Sequence, residues 1–181
     1  FVSENELENY TYEISNENHN IVNTIKQETI EVEGTKTWIT PVEDLNTLTA
    51  TVELYRDNEK IATTTVSGNS TYKFENLDKY DLSDGHIYNY TVKEVEVEGY
   101  TTEQTENNFK NTIVQDSTVT VEGTKTWITP VEDLSTLTAT VELYRDNEKI
   151  ATTTVRGNST YKFENLDKYD LSDGHIYNYT V

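Results

Sequence analysis

The residue with the clearest chemical potential is a lysine on the predicted inward face of a strand. Lys36 alternates with Val32, Gly34 and Trp38 at a period of two, which places its side chain toward a core. An unpaired buried ammonium group costs several kcal/mol. The amine could reach the sheet edge, pair with a buried carboxylate, or lose its charge and become a nucleophile. Alternation alone favours the first outcome.

The chain repeats itself, so this lysine occurs twice. Lys36 recurs as Lys125, which gives a period of 89 residues. Residues 29–92 and 118–181 differ at only four positions. Near-identical tandem copies are typical of extended arrays and unusual for enzymes.

The repeat is out of frame with both ends of the chain. Residues 2–13 align with 92–103, which is the end of a unit. We therefore expect the C-terminal strands of an incomplete repeat at 1–28, a complete repeat at 29–117, and the N-terminal part of a truncated repeat at 118–181.

Composition restricts the partners of this chain. Its 181 residues include no Cys or Met and carry a net charge of −19. Such a polyanion repels nucleic acids and anionic membranes, and we expect neither as a partner. No stretch is long and apolar enough for membrane insertion. Without a Met, the chain is expected to be a segment of a longer polypeptide whose targeting signals lie elsewhere.

Each repeat is predicted to be all-β, because Thr, Val, Tyr and Ile recur with period-two alternation. The predicted strands are 32–38, 48–54, 60–66, 71–74, 87–94 and 109–114. This pattern indicates an immunoglobulin-like antiparallel β-sandwich. The short linker 115–117 predicts tandem sandwiches held end to end in a rod-like array.

The signals for metals and cofactors are weak. The loop 80–85 lacks the ligand pattern of an EF-hand. His19, His86 and His175 are isolated in the sequence and predict no zinc site. We therefore expect neither a metal nor a cofactor.

Several motifs together resemble the Cna protein B-type (CnaB-like) repeat of Gram-positive surface adhesins and pilins. They are KTW in the first strand, FENLDKYD followed by DG, IYNYTVKE, EGY, and an Asn-Thr pair in the last strand. The resemblance spans the whole unit, in family order. It implies a small β-sandwich, in which many members form an isopeptide bond between a first-strand Lys and a last-strand Asn, assisted by a buried acid.

Carried over by position, the resemblance assigns Lys36 as the nucleophile, Glu94 as the acid and Asn111 as the amide. A neutral Lys36 amine would attack the Asn111 side-chain carbonyl. A protonated Glu94 would polarise that carbonyl and shuttle protons while ammonia leaves. Trp38 would exclude water from the site.

Neighbouring residues compete for two of these assignments. Asn107 and Asn108 are alternatives to Asn111, which is preferred because Phe109 and Ile113 alternate with it on an inward face. The alternatives to Glu94, at positions 96 and 98, are closer to the EGY turn and expected to be solvated.

The broken repeats carry complementary residues. The opening segment retains Glu4 and Asn23, at the positions of the acid and the amide, but no lysine partner. The closing segment retains Lys125 and its shielding Trp127 but stops before an acid and an amide. Either a neighbouring repeat of a longer array completes each fragment, or separate chains complement each other head to tail.

These observations favour a structural function. We expect a stalk or spacer repeat of a bacterial adhesin or pilus-like fibre, located outside the cell and anchored to the cell wall through regions beyond this chain. The alternative is a module that binds a host matrix protein or glycan, whose identity the sequence does not indicate. The chain is not expected to be an enzyme beyond a single self-crosslinking turnover.

Overall fold

The computed structural model describes residues 3–15 and 17–181. These residues form β-strands and two single-turn 3-10 helices, Leu45–Thr47 and Leu134–Thr136. None of the helices in these ranges has the length and apolar character needed to cross a membrane. The prediction of an all-β fold is confirmed.

The opening segment forms an antiparallel hairpin of β1 (Tyr10–Ile14) and β2 (Ile21–Ile25). Asn23 lies on β2, opposite Tyr12. Glu4, which aligns with Glu94, is not in a strand, and Val2, which aligns with Val92, lies outside the described residues. In the complete repeat the Glu94 strand pairs with an earlier strand, which this segment does not contain.

The complete repeat contains two sheets. Its strands are β3 (Thr29–Ile39), β4 (Thr49–Arg56), β5 (Glu59–Ser67), β6 (Ser70–Asp78), β7 (Tyr90–Glu94), β8 (Tyr100–Thr105) and β9 (Asn108–Ile113). One sheet has the order β6-β3-β9-β8 and the other has the order β5-β4-β7. Strand β3 is antiparallel to β6, and β4 is antiparallel to both β5 and β7.

Apolar side chains of both sheets form the core of the complete repeat. They are Val32, Val52, Leu54, Val66, Tyr72, Phe74, Val92 and Phe109. A fully buried side chain of this kind contributes about 1.5–3 kcal/mol. Such a core supports a small sandwich without disulfides.

Two details of the strand prediction were wrong. Strand β7 begins at Tyr90, and Ile87 makes only an isolated bridge to Tyr80. Strand β8 was not predicted at all, because YTTEQT has no apolar residue after its tyrosine and five of its six residues are exposed. A strand with one face in water gives little hydrophobic signal.

The truncated repeat contains β10 (Thr118–Lys125), β11 (Thr138–Arg145), β12 (Glu148–Arg156), β13 (Ser159–Asp167) and β14 (Tyr179–Thr180). Its sheets are β10-β13 and β12-β11-β14. Strand β10 ends at Lys125, whereas its counterpart β3 continues to Ile39 and has β9 as a second neighbour. Ile128 is fully exposed and Trp127 is only half-buried. The repeat therefore has an open edge along β10.

Spatial packing divides the described residues into two compact units. The first holds the residues up to Trp38 with Asp44–Val97 and Thr102–Lys110. The second holds Ile39–Glu43, Glu98–Thr101 and Asn111–Val181. The core described above lies in the first unit, and the second contains the whole truncated repeat.

Candidate functional site

Lys36 forms a buried ion pair with Glu94 in the complete repeat. The Lys36 Nζ atom lies 3.1 Å from Oε2 and 3.4 Å from Oε1 of Glu94. Both side chains are almost fully buried, with exposures of 0% and 1%. Strand β3 belongs to one sheet and β7 to the other, so the pair crosses the interior of the sandwich. Of the three outcomes open to Lys36, the structure has the pair with a buried carboxylate. The prediction from alternation that the amine reaches the sheet edge is wrong.

Burial lowers the pKa of Lys36, while the charge of Glu94 and its hydrogen bond act in the opposite direction. An ammonium–carboxylate pair and an amine–carboxylic acid pair have the same net charge. A proton can therefore move across the 3.1 Å contact without creating a lone buried charge. Desolvation acts against the ammonium form of Lys36, which makes the free electron pair of its amine more accessible.

The Trp38 ring covers the lysine, and Tyr72 lies near enough to Glu94 for that charge to act on its hydroxyl. The Lys36 Nζ atom lies 4.1 Å from the Trp38 ring centroid, and Trp38 is 4% exposed. The Trp38 backbone amide donates a 2.7 Å hydrogen bond to Oδ1 of Asn69, which fixes this part of β3. Burial, with a smaller effect of the Glu94 charge, raises the pKa of Tyr72 to about 12, so this wall of the site stays neutral. Neither Asn69 nor Tyr72 could be assigned to this site from the sequence, because they lie 31 and 35 residues in the chain from their hydrogen-bond partners.

Asn111 lies on β9, the strand next to β3 in the four-stranded sheet, and it is fully buried. Its alternation with buried Phe109 agrees with the predicted inward orientation. The competing Asn108 is exposed. Lys36 and Asn111 are the buried polar or charged residues in the core of the described chain.

The acid assignment also agrees with burial. The Glu94 side chain is 1% exposed, whereas Glu96 and Glu98 are exposed as expected. The Thr102 hydroxyl of β8 donates a 3.4 Å hydrogen bond to Oε1 of Glu94. Thr102 was not predicted as a partner of Glu94 because its strand, β8, was not predicted.

The two broken repeats hold separate parts of a second set. In the opening segment, Nδ2 of Asn23 donates a 3.1 Å hydrogen bond to Oε1 of Glu4. The acid and the amide, 19 residues apart, are thus brought together, and within residues 3–15 and 17–181 no ion pair joins Glu4 to a lysine.

In the truncated repeat, Nζ of Lys125 lies 4.2 Å from the Trp127 ring centroid, much as Lys36 lies over its own tryptophan. This amine donates a 3.0 Å hydrogen bond to the carbonyl oxygen of Thr126, and the residue is half-buried. In the described part of the chain, the local lysine–tryptophan geometry therefore forms at Lys125 without an ion pair to an acid, whereas deep burial is found at Lys36, where Glu94 is present.

The interpretation of His86 as isolated was wrong. Its Nδ1 lies 2.6 Å from Asp84 and its Nε2 lies 2.9 Å from Asp57. His175 has the same arrangement with Asp173 and Asp146. Asp57 lies in the β4–β5 turn, 29 residues from His86, so linear spacing did not indicate the contact. Both nitrogens face carboxylates, which is the geometry of a protonated imidazolium.

These histidines predict a pH-dependent contribution to stability. Hydrogen bonds to Asp57 and Asp84 raise the pKa of His86 from 6.5 to about 8. Hydrogen bonds to Asp146 and Asp173 likewise raise the pKa of His175. A raised pKa in the folded state stabilises the protein fully below pH 6.5, and the gain is lost as pH rises through about 8.

We expect His86→Gln/His175→Gln to reduce the fall in melting temperature across this pH window. Melting curves followed by circular dichroism at several pH values measure the fall. His19→Gln changes a histidine outside this arrangement and is the matched control. An unchanged pH dependence in the double variant would contradict the assignment.

Comparison with known proteins places these residues in a family context. A family model described as the Cna protein B-type domain matches residues 32–115 and 121–181. A collagen adhesin of Staphylococcus aureus is 31% identical over 150 residues, covering 72% of this chain and 12% of the adhesin. The chain thus spans a small part of that relative's length.

Solved structures of adhesins are also similar to this chain. Two B repeat units of the collagen binding protein of Staphylococcus aureus align with a TM-score of 0.48 and 27% identity, over 97% of this chain and 49% of that chain. The pilus adhesin SpaC of Lactobacillus rhamnosus GG aligns with a TM-score of 0.36 and 13% identity, over 86% of this chain and 23% of that chain.

Proposed function

Since the chain belongs to the Cna protein B-type domain family, we propose that it is a stalk segment of an extracellular adhesin or pilus-like fibre. Each complete repeat is locked by an isopeptide bond between Lys36 and Asn111. The observation that best supports this proposal is the fully buried Lys36–Glu94 pair. A buried ion pair contributes little to stability compared with apolar residues, so a chemical role is the better explanation for its presence in a small core.

The proposed reaction is a transamidation, in which the Lys36 amine and the Asn111 carboxamide give a substituted amide and ammonia. The Lys36 Nζ electron pair attacks Cγ of Asn111, and a new Nζ–Cγ bond forms. Glu94 takes a proton from Nζ and delivers one to Nδ2 of Asn111. The Cγ–Nδ2 bond then breaks, and ammonia leaves. The residues react once, which distinguishes the repeat from an enzyme.

The position of the bond supports a mechanical role. It joins β3, the first strand of the complete repeat 29–117, to β9, its last strand. A pulling force would pass from one strand to the other through the crosslink, and the intervening chain would stay folded. A repeat without Cys would gain in this way the covalent restraint that small extracellular domains usually obtain from disulfides.

Intact-protein mass spectrometry tests the proposed bond. The folded chain should be lighter than its sequence mass by one ammonia. Fragmentation of a proteolytic digest should recover the peptides containing Lys36 and Asn111 as one linked species. A full sequence mass would contradict the crosslink.

A second part of the proposal concerns the open edge of the truncated repeat 118–181. Among the strands that the structure describes, β8 and β9 have no counterpart beside β10. The opening segment holds an acid and an amide already in contact, Glu4 before the hairpin and Asn23 on β2. We infer that the open edge is completed by these strands of a neighbouring repeat, and that Lys125 is then linked to Asn23. The neighbour is the next repeat in a longer array, or another copy of the 181-residue chain.

Completion between separate chains predicts a specific covalent dimer. Neither Lys125→Ala nor Asn23→Ala alone can form a bond between its own copies. Mixing them should give one linked dimer, because one supplies Asn23 and the other Lys125. Denaturing electrophoresis measures the product, and size exclusion at several concentrations measures association. Monomers alone, in the mixture and at every concentration, would contradict exchange between chains.

A further inference from the structure

Two hydrogen bonds hold the beginning of β9 against β3. The Thr35 backbone amide and its hydroxyl both donate to Oδ1 of Asn108, at 3.0 and 2.9 Å. Thr35 immediately precedes the lysine, and Asn108 is the first residue of β9. These contacts therefore fix which residues of the last strand lie beside the first.

Asn107, the turn residue before Asn108, is held by a side chain of β6 as well. The Tyr72 hydroxyl donates a short hydrogen bond to the Asn107 carbonyl. Gly34 makes this approach possible, because a Cβ atom there would overlap the Asn107 carbonyl and crowd the Tyr72 hydroxyl. The glycine is needed for close backbone approach and not for an unusual φ angle.

We propose that Gly34, Thr35, Tyr72, Asn107 and Asn108 form a register latch that positions the last strand for the crosslink. This inference rests on the proposed function. The latch residues are positioning residues, because they act through the placement of β9. Asn111 follows Asn108 by three positions, so the latch determines whether its side chain faces inward.

The rate of the proposed reaction depends on where β9 places Asn111. A one-residue slip of a strand turns every side chain to the opposite face of the sheet, which would direct Asn111 outward. The lysine cannot follow, because its Nζ atom is buried and held by Glu94 at 3.1 Å. A displacement of about 1 Å can slow a positioned reaction by about 100-fold.

The truncated repeat retains the receiving half of the latch. The atoms nearest a Cβ placed on Gly123 all belong to the Tyr161 ring and hydroxyl, so no backbone carbonyl occupies the position that Asn107 fills in the complete repeat. In the opening hairpin, Asn20 precedes Asn23 by three positions, as Asn108 precedes Asn111. The latch therefore predicts that Asn20 docks on Thr124 when the split repeat is completed.

The latch can be tested by following the rate of ammonia loss after cell-free synthesis. Translation of the full chain is stopped, and intact mass is recorded over time. Asn108→Ala removes the acceptor for both Thr35 bonds and should slow the loss at least about tenfold. Asn108→Asp keeps an acceptor oxygen and should restore the rate to near that of the wild type, a rescue that loss of general stability would not produce.

Tyr72→Phe and Tyr161→Phe form a matched pair for the second contact. Tyr72→Phe removes only the hydroxyl that holds Asn107 and should also slow the loss. Tyr161→Phe makes the same change in a repeat without a last strand, so the rate should not change. Tyr72→Phe also gives a second measurement of the latch if Asn108→Ala does not fold.

The outcomes separate this inference from the proposed function. A wild-type chain that loses no ammonia refutes the crosslink itself. If the wild type reacts and Asn108→Ala and Tyr72→Phe react as fast, the crosslink stands and the latch is wrong. An Asn108→Asp chain as slow as Asn108→Ala would also refute the latch.

Discussion

Replacing Lys36 by alanine should return the mass of the chain to its full sequence value and strongly destabilise the complete repeat. The crosslink would close a loop from residue 36 to residue 111. If it restricts the unfolded chain as a disulfide does, it contributes about 4–5 kcal/mol. Whole domains are stable by only about 5–15 kcal/mol, so this loss should be evident. Intact mass and chemical denaturation measure the two effects.

Lys125→Ala is the control for this experiment. It changes the same residue within the same EGTKTW segment, in a repeat that ends before an acid and an amide. Its ammonia loss from the complete repeat should equal that of the wild type. If Lys36→Ala were still lighter than its own sequence mass by one ammonia, the role of Lys36 would be refuted.

Glu94→Gln should abolish the crosslink and leave the complete repeat less stable than a charge-free reference. The substitution keeps the shape of the side chain but removes the proton acceptor and the counter-ion of a fully buried lysine. Breaking a buried pair by removing one partner costs about 3–5 kcal/mol. The matched reference is Lys36→Met/Glu94→Gln, which also lacks the crosslink but contains no buried charge.

The expected order of unfolding free energies is wild type, then the double variant, then Glu94→Gln. Glu96→Gln changes an exposed residue of the same segment and should remain within about 0.5 kcal/mol of the wild type. Full ammonia loss in Glu94→Gln would refute the proton shuttle. Equal stability of Glu94→Gln and the double variant would refute the electrostatic argument.

Much of the fold could be predicted because its signals are local. The strands 48–54 and 60–66 were predicted, and the turn residues between β4 and β5, Asp57 and Asn58, both have positive φ angles, as a two-residue turn requires. The alternation along β3 correctly placed Val32, Gly34, Lys36 and Trp38 on the buried face. These features depend on residues adjacent in the chain, so a single sequence contains them.

The open edge of the truncated repeat could be expected from the repeat alignment, but its local consequence could not. Identical TKTWI segments continue β3 to Ile39 in one repeat and leave the strand at Lys125 in the other. The difference arises from the neighbouring strand β9, which only the complete repeat contains. Strand length was thus determined by pairing and not by local sequence.

The sequence by itself determined the repeat, the β-rich units and the presence of an inward lysine with candidate acids and amides. It did not determine what happens to that lysine, because alternation favoured an escape to the sheet edge. The family resemblance assigned Glu94 as the acid, but residue patterns alone did not distinguish it among 33 acidic residues. The tertiary structure brought Glu94 against Lys36, 58 residues away in the chain. It did so by facing β3 of one sheet toward β7 of the other and excluding water from the space between them. Local patterns determine which way a side chain points, whereas the charge it meets there depends on sheet order and packing.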